Sequence, residues 1–469
     1  MGIEGSAPTC ATIAARWLAR LELVDVPLDV VAGAKLRLLD VLGVMLAASA
    51  TEYGRVIRAS VLELASAGSS PLIGFSDRVT PVWAAFANGA LAHALIFDDT
   101  HNETLVHPSG PVIGAALATA AGRQKSGETL LTAVIGATEL TCRLGLAAVG
   151  QFHKSGFQPT AILGPLGAAF AAARLFGLDE TKIVHAVGNA GSFASGINES
   201  WSDGTWTQLL HPGWAAHSGV AAAVLAKHGW SGPASVLEGR FGLFRSHVQQ
   251  PNYPFAFERI TAELGDVWES RLISFKPYPC AHVVHPFLDA ILALHREGLR
   301  AESVERIECR IAGYMVPVVC EPYVTKIEPA SDAQARTSLQ FSLAEALVTG
   351  HLDAQSYSSE ALRDPRILAL ARRIHYRIDD AAPDSRQFRG WVVVTTKDGR
   401  TLERIERFNR GSPDQPLRPD EVLDKFLRNA ATRLRPRATE SVERFVETIE
   451  SCDSLTPLFN ACNPGQSDV

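Results

Sequence analysis

The 469-residue sequence is poor in charge: Asp, Glu, Lys and Arg make up 20% of it, below the roughly 25% usual in soluble domains. The shortage is local. Val79–Phe97, Thr104–Gly122 and Ser155–Ala173 each run 19 residues without one of these side chains, and Gly204–Ala226 runs 23. Such lengths reach those of a membrane span, yet the runs contain Asn88, His93, His107, Gln158, Gln208 and His211, and are rich in Ala and Gly instead of Leu, Ile and Phe. Lipid would leave those polar groups unpaired at several kcal/mol each. The expected reading is therefore buried, close-packed helices of a soluble protein, with no membrane partner.

Other absences remove further classes. Forty-four basic against 50 acidic residues give a net charge of −6, with no Lys/Arg run to track a phosphate backbone, so nucleic acid is not an expected partner. The seven cysteines are scattered and include no C-x-x-C pair, which argues against structural zinc or an iron–sulfur cluster and for a reducing compartment. No H-E-x-x-H occurs; His282 and His285 are three apart but lie among apolar residues, so no metal site is expected. Met1–Cys10 lacks a basic and apolar leader pattern, which makes the cytoplasm the expected compartment.

What is present falls into two styles. From about Thr12 to Trp268 apolar residues recur at helical spacing. Thr80-Pro81, His107-Pro108, Gln158-Pro159 and His211-Pro212 each read as a helix start, where proline's missing N–H costs nothing. After Arg271 the texture changes. Val304–Ala312 alternates, with Glu305, Ile307, Cys309 and Ile311 on one side and Val304, Arg306, Glu308 and Arg310 on the other; Trp391–Thr396 and Thr401–Phe408 read as a hairpin across Lys397–Arg400. Ala333–Thr349 and Asp364–His375 read as helices between them, and Arg418–Ile449 returns to helix. The expected fold is mostly α: a helical region over residues 1–270, a smaller α+β domain over 271–409, helices to 455, and a frayed polar tail from Asp453, set off as residues 456–469.

Four polar clusters stand out. Asp98-Asp99-Thr100 leads to His107-Pro108-Ser109, either an acid/base group at an anion-binding helix start or a corner in which the acids only cap. His153–Thr160 with Gly164–Gly167 has glycine spacing like an anion cradle but matches no phosphate fingerprint, so close helix packing is the competing reading. Trp206–Gly213 places Gln208 and His211 on a helix start, as caps or as working groups. Phe275–Pro286 lies at the seam between the two styles; its prolines suggest an extended backbone with Lys276, Tyr278 and Cys280 on one side, and a lysine between aromatic residues invites a lowered pKa. Domain seams are also preferred ligand sites.

In order, Ala92-His93-Ala94, Phe97–Thr100, His107–Pro111, Gly156–Thr160, Gly164–Ala169, Leu210–Ala216, Gly232-Pro233 with Glu238–Arg240, and Lys276–Cys280 resemble the MmgE/PrpD family of 2-methylcitrate dehydratases, cis-aconitate decarboxylases and iminodisuccinate epimerases, over roughly residues 10 to 450. The resemblance implies that C-terminal helices complete the helical domain, that the α+β domain is a lid, that the site lies in the cleft between these two domains, and that the protein is a homodimer. It implies no metal or organic cofactor. The shared chemistry is proton removal beside a carboxylate through an enolate-like intermediate. His107, His211, Lys276 and His285 stand where the family pattern has the same residue, whereas Ile96 replaces the leading acid of D-F-D-D, Gln158 a histidine and Gln208 a lysine.

These exchanges weaken the attraction for a multiply charged anion. The expectation is a dehydratase-type lyase acting on a small hydroxy- or polycarboxylic acid, with His107, Lys276, His211, Asp98 and Asp99 catalytic and Thr100, Gln158, Gln208, Tyr278, His282 and His285 binding substrate. Two rivals share the site: an epimerase using the same enolate, and a carboxylate-binding relative without turnover.

Overall fold

Alanine-rich segments have high helix propensity, and close packing sets how they assemble. A computed structural model describes residues 7–123 and 125–465. At its centre the Pro81–His93, Ser109–Ala120, Pro159–Phe176 and Thr207–Lys227 helices pack on one another. Their backbones come close because small residues face each other: a Cβ on Gly219 would lie 2.4 Å from the Ala168 Cβ, and one on Gly89 2.7 Å from the Pro212 carbonyl oxygen. Among the described residues, two helices are long and apolar enough to cross a membrane, Gly127–Leu146 and Pro159–Phe176, and they are 94% and 89% buried inside the fold.

Two separate cores result. The first joins residues between Ala11 and Trp268 to Phe426, Val442, Ile449, Leu458 and other side chains near the C-terminus. The second lies between Tyr278 and Val394. It is built on a four-stranded sheet in the order Ile374–Ile378, Val304–Ile311, Gly390–Thr396, Thr401–Glu406; the first pair is parallel and the other two are antiparallel. The His285–Arg296 helix covers this sheet, and Leu339–Thr349 packs on that helix.

Several elements differ from the sequence reading. The helix expected to start at His211-Pro212 starts at Thr207, with Pro212 inside it, because packing against Gly89 and Gly110 holds the turn that proline weakens. Ala333–Thr349 is broken at Ser338, whose hydroxyl accepts from the Phe341 N–H and starts a new helix. The helix expected to reach His375 ends at Ala371, and Ile374–Ile378 becomes a strand. A bulge between Val304 and Arg306 buries Val304 together with Ile307, Cys309 and Ile311. In the expected tail, Thr456–Ala461 is helical and buries Leu458 and Phe459; residues 466–469 lie outside the described residues.

The Gly219–Ala168 contact yields a test. Gly219→Ala forces a methyl group into a full contact and lowers stability by about 1–3 kcal/mol, read as a drop in the urea midpoint with an unchanged slope.

Candidate active site

The first polar cluster and Lys276 meet through a short strand pairing. Thr100 and His101 pair antiparallel with Ser274 and Ile273, which brings Lys276 beside the Ile96–Asp99 segment. Ile96 sits there in the left-handed region, at φ 52°, a conformation costly for a β-branched residue and easier for Asp or Asn. Its carbonyl accepts from Lys276 Nζ at 3.1 Å.

Asp98 is the centre of this floor and is fully buried. Its carboxylate accepts from His93 Nδ1 at 2.9 Å, with Lys276 Nζ at 3.8 Å and His107 Nδ1 at 3.9 Å. Burial alone pushes the carboxyl upward, but the His93 ring with its hydrogen bond and the Lys276 ammonium together hold it well below the usual carboxylate range. Desolvation pulls Lys276 below the ordinary lysine range, opposed by Asp98.

His107 has a defined tautomer. Its Nδ1 lies 2.7 Å from the Asp99 carbonyl oxygen, an acceptor only, so Nδ1 carries the hydrogen and Nε2 the lone pair. Burial pushes its pKa down to about 3, which makes the ring neutral near pH 7. Thr100 Oγ1 is 3.2 Å from the same Nδ1, and the Thr160 hydroxyl accepts from the His107 backbone N–H. Asp99 points elsewhere: it accepts from the Ser109 hydroxyl and backbone N–H at the start of the next helix, and burial pushes it up to about 7.

His93, Thr100, His107, Gln158, Gln208, Lys276 and His282 line one cavity of about 680 Å³ between the two cores. Both glutamines have their oxygens occupied. Gln158 Oε1 accepts from the Ala161 N–H at 2.7 Å, capping its helix, and Gln208 Oε1 accepts from the Trp201 indole N–H at 2.6 Å. What each offers is an amide N–H. His282 Nε2 accepts from the Asn409 amide at 2.8 Å, so its buried, unpartnered Nδ1 bears hydrogen.

Five of the expected site residues do not line that cavity: Asp98 lies buried beneath it, and the other four stand apart. Asp99 caps. Tyr278 donates to Asp289 at 2.8 Å and lines a separate hollow, because Phe275–Ala281 bends at its prolines instead of running extended. His285 is buried behind His282, its rings 4.7 Å apart. His211 is buried beside Gly196, and desolvation pulls it down to about 4. Conversely, His93, His153 and Trp201 line the cavity and were not among the expected site residues. The signal for His93 was its place at the end of a helix five residues before Asp98.

A second layer braces the floor. Lys425, from the Pro419–Ala430 helix, pairs with buried Asp40 at 2.7 Å, donates to the Phe97 carbonyl at 2.9 Å and sits 3.8 Å from the centre of the Phe97 ring. The trio His93, Asp98 and His107 has ligand atoms within 4.8 Å of one another and could hold a metal ion. The Lys276 ammonium 3.8 Å from the same carboxylate would repel one, so the set suits proton transfer better. The brace is testable: Lys425→Met leaves Asp40 buried without its cation and costs about 3–5 kcal/mol, whereas adding Asp40→Leu to it recovers most of that loss in the same denaturation assay.

The comparisons with known proteins agree with this layout. The MmgE/PrpD N-terminal domain matches residues 12–256 and the MmgE/PrpD C-terminal domain residues 278–451. The chain is 30% identical over 454 residues to cis-aconitate decarboxylase of Homo sapiens, covering 93% of this chain and 91% of that one. It is 25% identical over 480 residues to cis-aconitate decarboxylase of Aspergillus terreus, covering 95% and 94%. To 2-methylcitrate dehydratase of Cupriavidus necator it is 27% identical over 400 residues, 79% of each. With both domains matched in order over nearly its whole length, the chain belongs to the MmgE/PrpD family.

Proposed function

We propose that the protein is a cofactor-independent lyase of the dehydratase type, acting on a small hydroxy- or polycarboxylic acid. The observation that carries this reading is the pairing, on one cavity floor, of a neutral imidazole whose Nε2 holds the lone pair with a buried ammonium 3.8 Å from the same carboxylate. The names of the relatives, cis-aconitate decarboxylase and 2-methylcitrate dehydratase, support lyase chemistry on a carboxylate.

In the reaction His107 Nε2 takes the proton from the carbon next to the substrate carboxylate, and the C–H electron pair delocalises into that carboxylate as an enolate. Lys276 stabilises the developing charge. The pair then forms the carbon–carbon double bond as the adjacent C–O bond breaks. Hydroxide leaves with that bond's electrons and takes a proton from Lys276, departing as water; His107 then gives its proton to solvent and Lys276 regains one from it, which restores both groups. Asp98 keeps Lys276 cationic between turnovers, and His93 fixes Asp98. Thr100 orients the His107 ring.

All seven cysteines are free thiols, which supports a cytoplasmic, reducing setting. A homodimer fits the exposure of Leu210 and Trp214 one turn apart on the Thr207–Lys227 helix, with Trp214 stacked on His217 at 4.9 Å. Trp214→Glu should then lower the mass seen by sedimentation from two chains to one.

The catalytic assignment is tested by product absorbance at 240 nm and by deuterium uptake from solvent. His107→Gln and Lys276→Met should each lower kcat by about a hundredfold or more, with folding monitored by circular dichroism; full turnover in both variants would refute it. The pH profile follows from the shifts. His107 is already neutral above about 3, so it sets no limb near neutrality. Lys276 must be protonated, so kcat/KM should fall as pH rises through its depressed pKa, at lower pH than a free lysine would give.

A further inference from the structure

The cavity is larger and less charged than a small polycarboxylate requires. Its volume of about 680 Å³ is typical of sites that enclose drug-sized ligands, whereas a six-carbon acid has about a dozen heavy atoms. Most of its lining is apolar, supplied by both domains: Leu105 and Val149 from the helical part, and Val283, Met315, Val318 and Phe388 from the other.

Positive charge is scarce there. Among the described residues the only lysines lining the cavity are Lys276 and Lys154, and no arginine does so. Lys276, held by Asp98 and the Ile96 carbonyl, can answer one substrate carboxylate. Lys154 is exposed, and Asp384 lines the same cavity. Buried Arg336, beside the seam segment, donates to the Leu95 and Pro279 carbonyls. Of the histidines, His107, His153 and His282 are pulled down by burial and are neutral, and His93 is held through Nδ1 on the Asp98 carboxylate. A trianion would therefore bring at least one carboxylate into the cavity without a counter-charge, at a cost of several kcal/mol.

The neutral donors match a smaller demand. Gln158 and Gln208 each offer amide N–H, their oxygens being occupied, and His282 offers one unpartnered Nδ1–H. These suffice for one carboxylate and one further oxygen acceptor. We infer that the substrate is a monocarboxylic hydroxy acid carrying an apolar substituent, an alkyl chain or a ring, which occupies the Met315–Val318–Phe388 side of the cavity. This deepens the lyase reading above and rests on it for the reaction, but not for the ligand class.

The test has two arms on the full-length protein. In the first, calorimetry measures binding of unreactive saturated acids: butanoate, hexanoate, 3-phenylpropanoate and propane-1,2,3-tricarboxylate. Affinity should rise by about fourfold per methylene between butanoate and hexanoate, and hexanoate should bind at least tenfold tighter than the tricarboxylate. Val318→Lys, which puts a cation on the apolar wall, should flatten the chain-length dependence and shift preference toward the tricarboxylate by more than tenfold. Tighter binding of the tricarboxylate by the unmodified protein, or affinity independent of chain length, overturns the inference. In the second arm, 3-hydroxybutanoate, 3-hydroxyhexanoate, citrate and 2-methylcitrate are assayed for unsaturated product and for deuterium exchange. Turnover of 3-hydroxyhexanoate well above that of citrate supports both readings. Turnover confined to citrate or 2-methylcitrate overturns this inference and leaves the lyase reading standing. Chain-length-dependent binding with no product or exchange from any hydroxy acid supports the ligand class and overturns the lyase reading.

Discussion

An ionised carboxylate with no access to solvent is among the most costly things a protein can contain, and Asp98 is one. Most of what positions the site can be understood as what makes that anion tolerable. Three nitrogen-bearing side chains converge on it: His93 from the last turn of one helix, His107 from the start of the next, and Lys276 from the seam between the two cores. None is near the others in the chain except through the turn and the strand pairing that place them. The same interactions that stabilise Asp98 hold a neutral imidazole and a cation at fixed positions on the cavity floor, the kind of preorganisation an enolate-forming reaction needs.

A second shell of buried charge repeats the logic one layer deeper. Asp40 and Lys425 neutralise each other behind Phe97, Arg37 donates to the Ser270 carbonyl, and Asp99 anchors the helix that follows His107. The left-handed Ile96 belongs to this arrangement as well. Its backbone strain persists because turning the peptide that way directs the carbonyl at Lys276.

Much of this was legible in the sequence, and the misses have physical causes. The helix starts at Pro81 and Pro159 and the strands around Ile307 and Val394 follow from local turn chemistry and periodicity, so they could be read directly. The start at Pro212 could not, because tertiary packing against glycines overrides a local preference. Ile374–Ile378 was hidden since five residues beside a helix carry little period, and its identity as a strand depends on a partner some 70 residues earlier in the chain. Tyr278 looked like a site residue because two prolines suggested an extended run that in fact bends. His107, Lys276 and Asp98 were marked by their rarity in charge-poor surroundings. Lys425 had no such mark: it lies in an ordinary amphipathic helix, and only the fold reveals that its ammonium enters the core.

The origin of Lys425 bears on how the molecule is made. It braces Phe97 across a separation of 328 residues, with the whole second domain encoded in between. On a chain emerging from the ribosome, the helical half therefore waits with Asp40 uncompensated until nearly all of the protein has been synthesised. The Asp98 floor is thus one of the last features to become native, and a prematurely terminated chain would carry the sequence motifs of the cavity without the Lys425–Asp40 pair behind them.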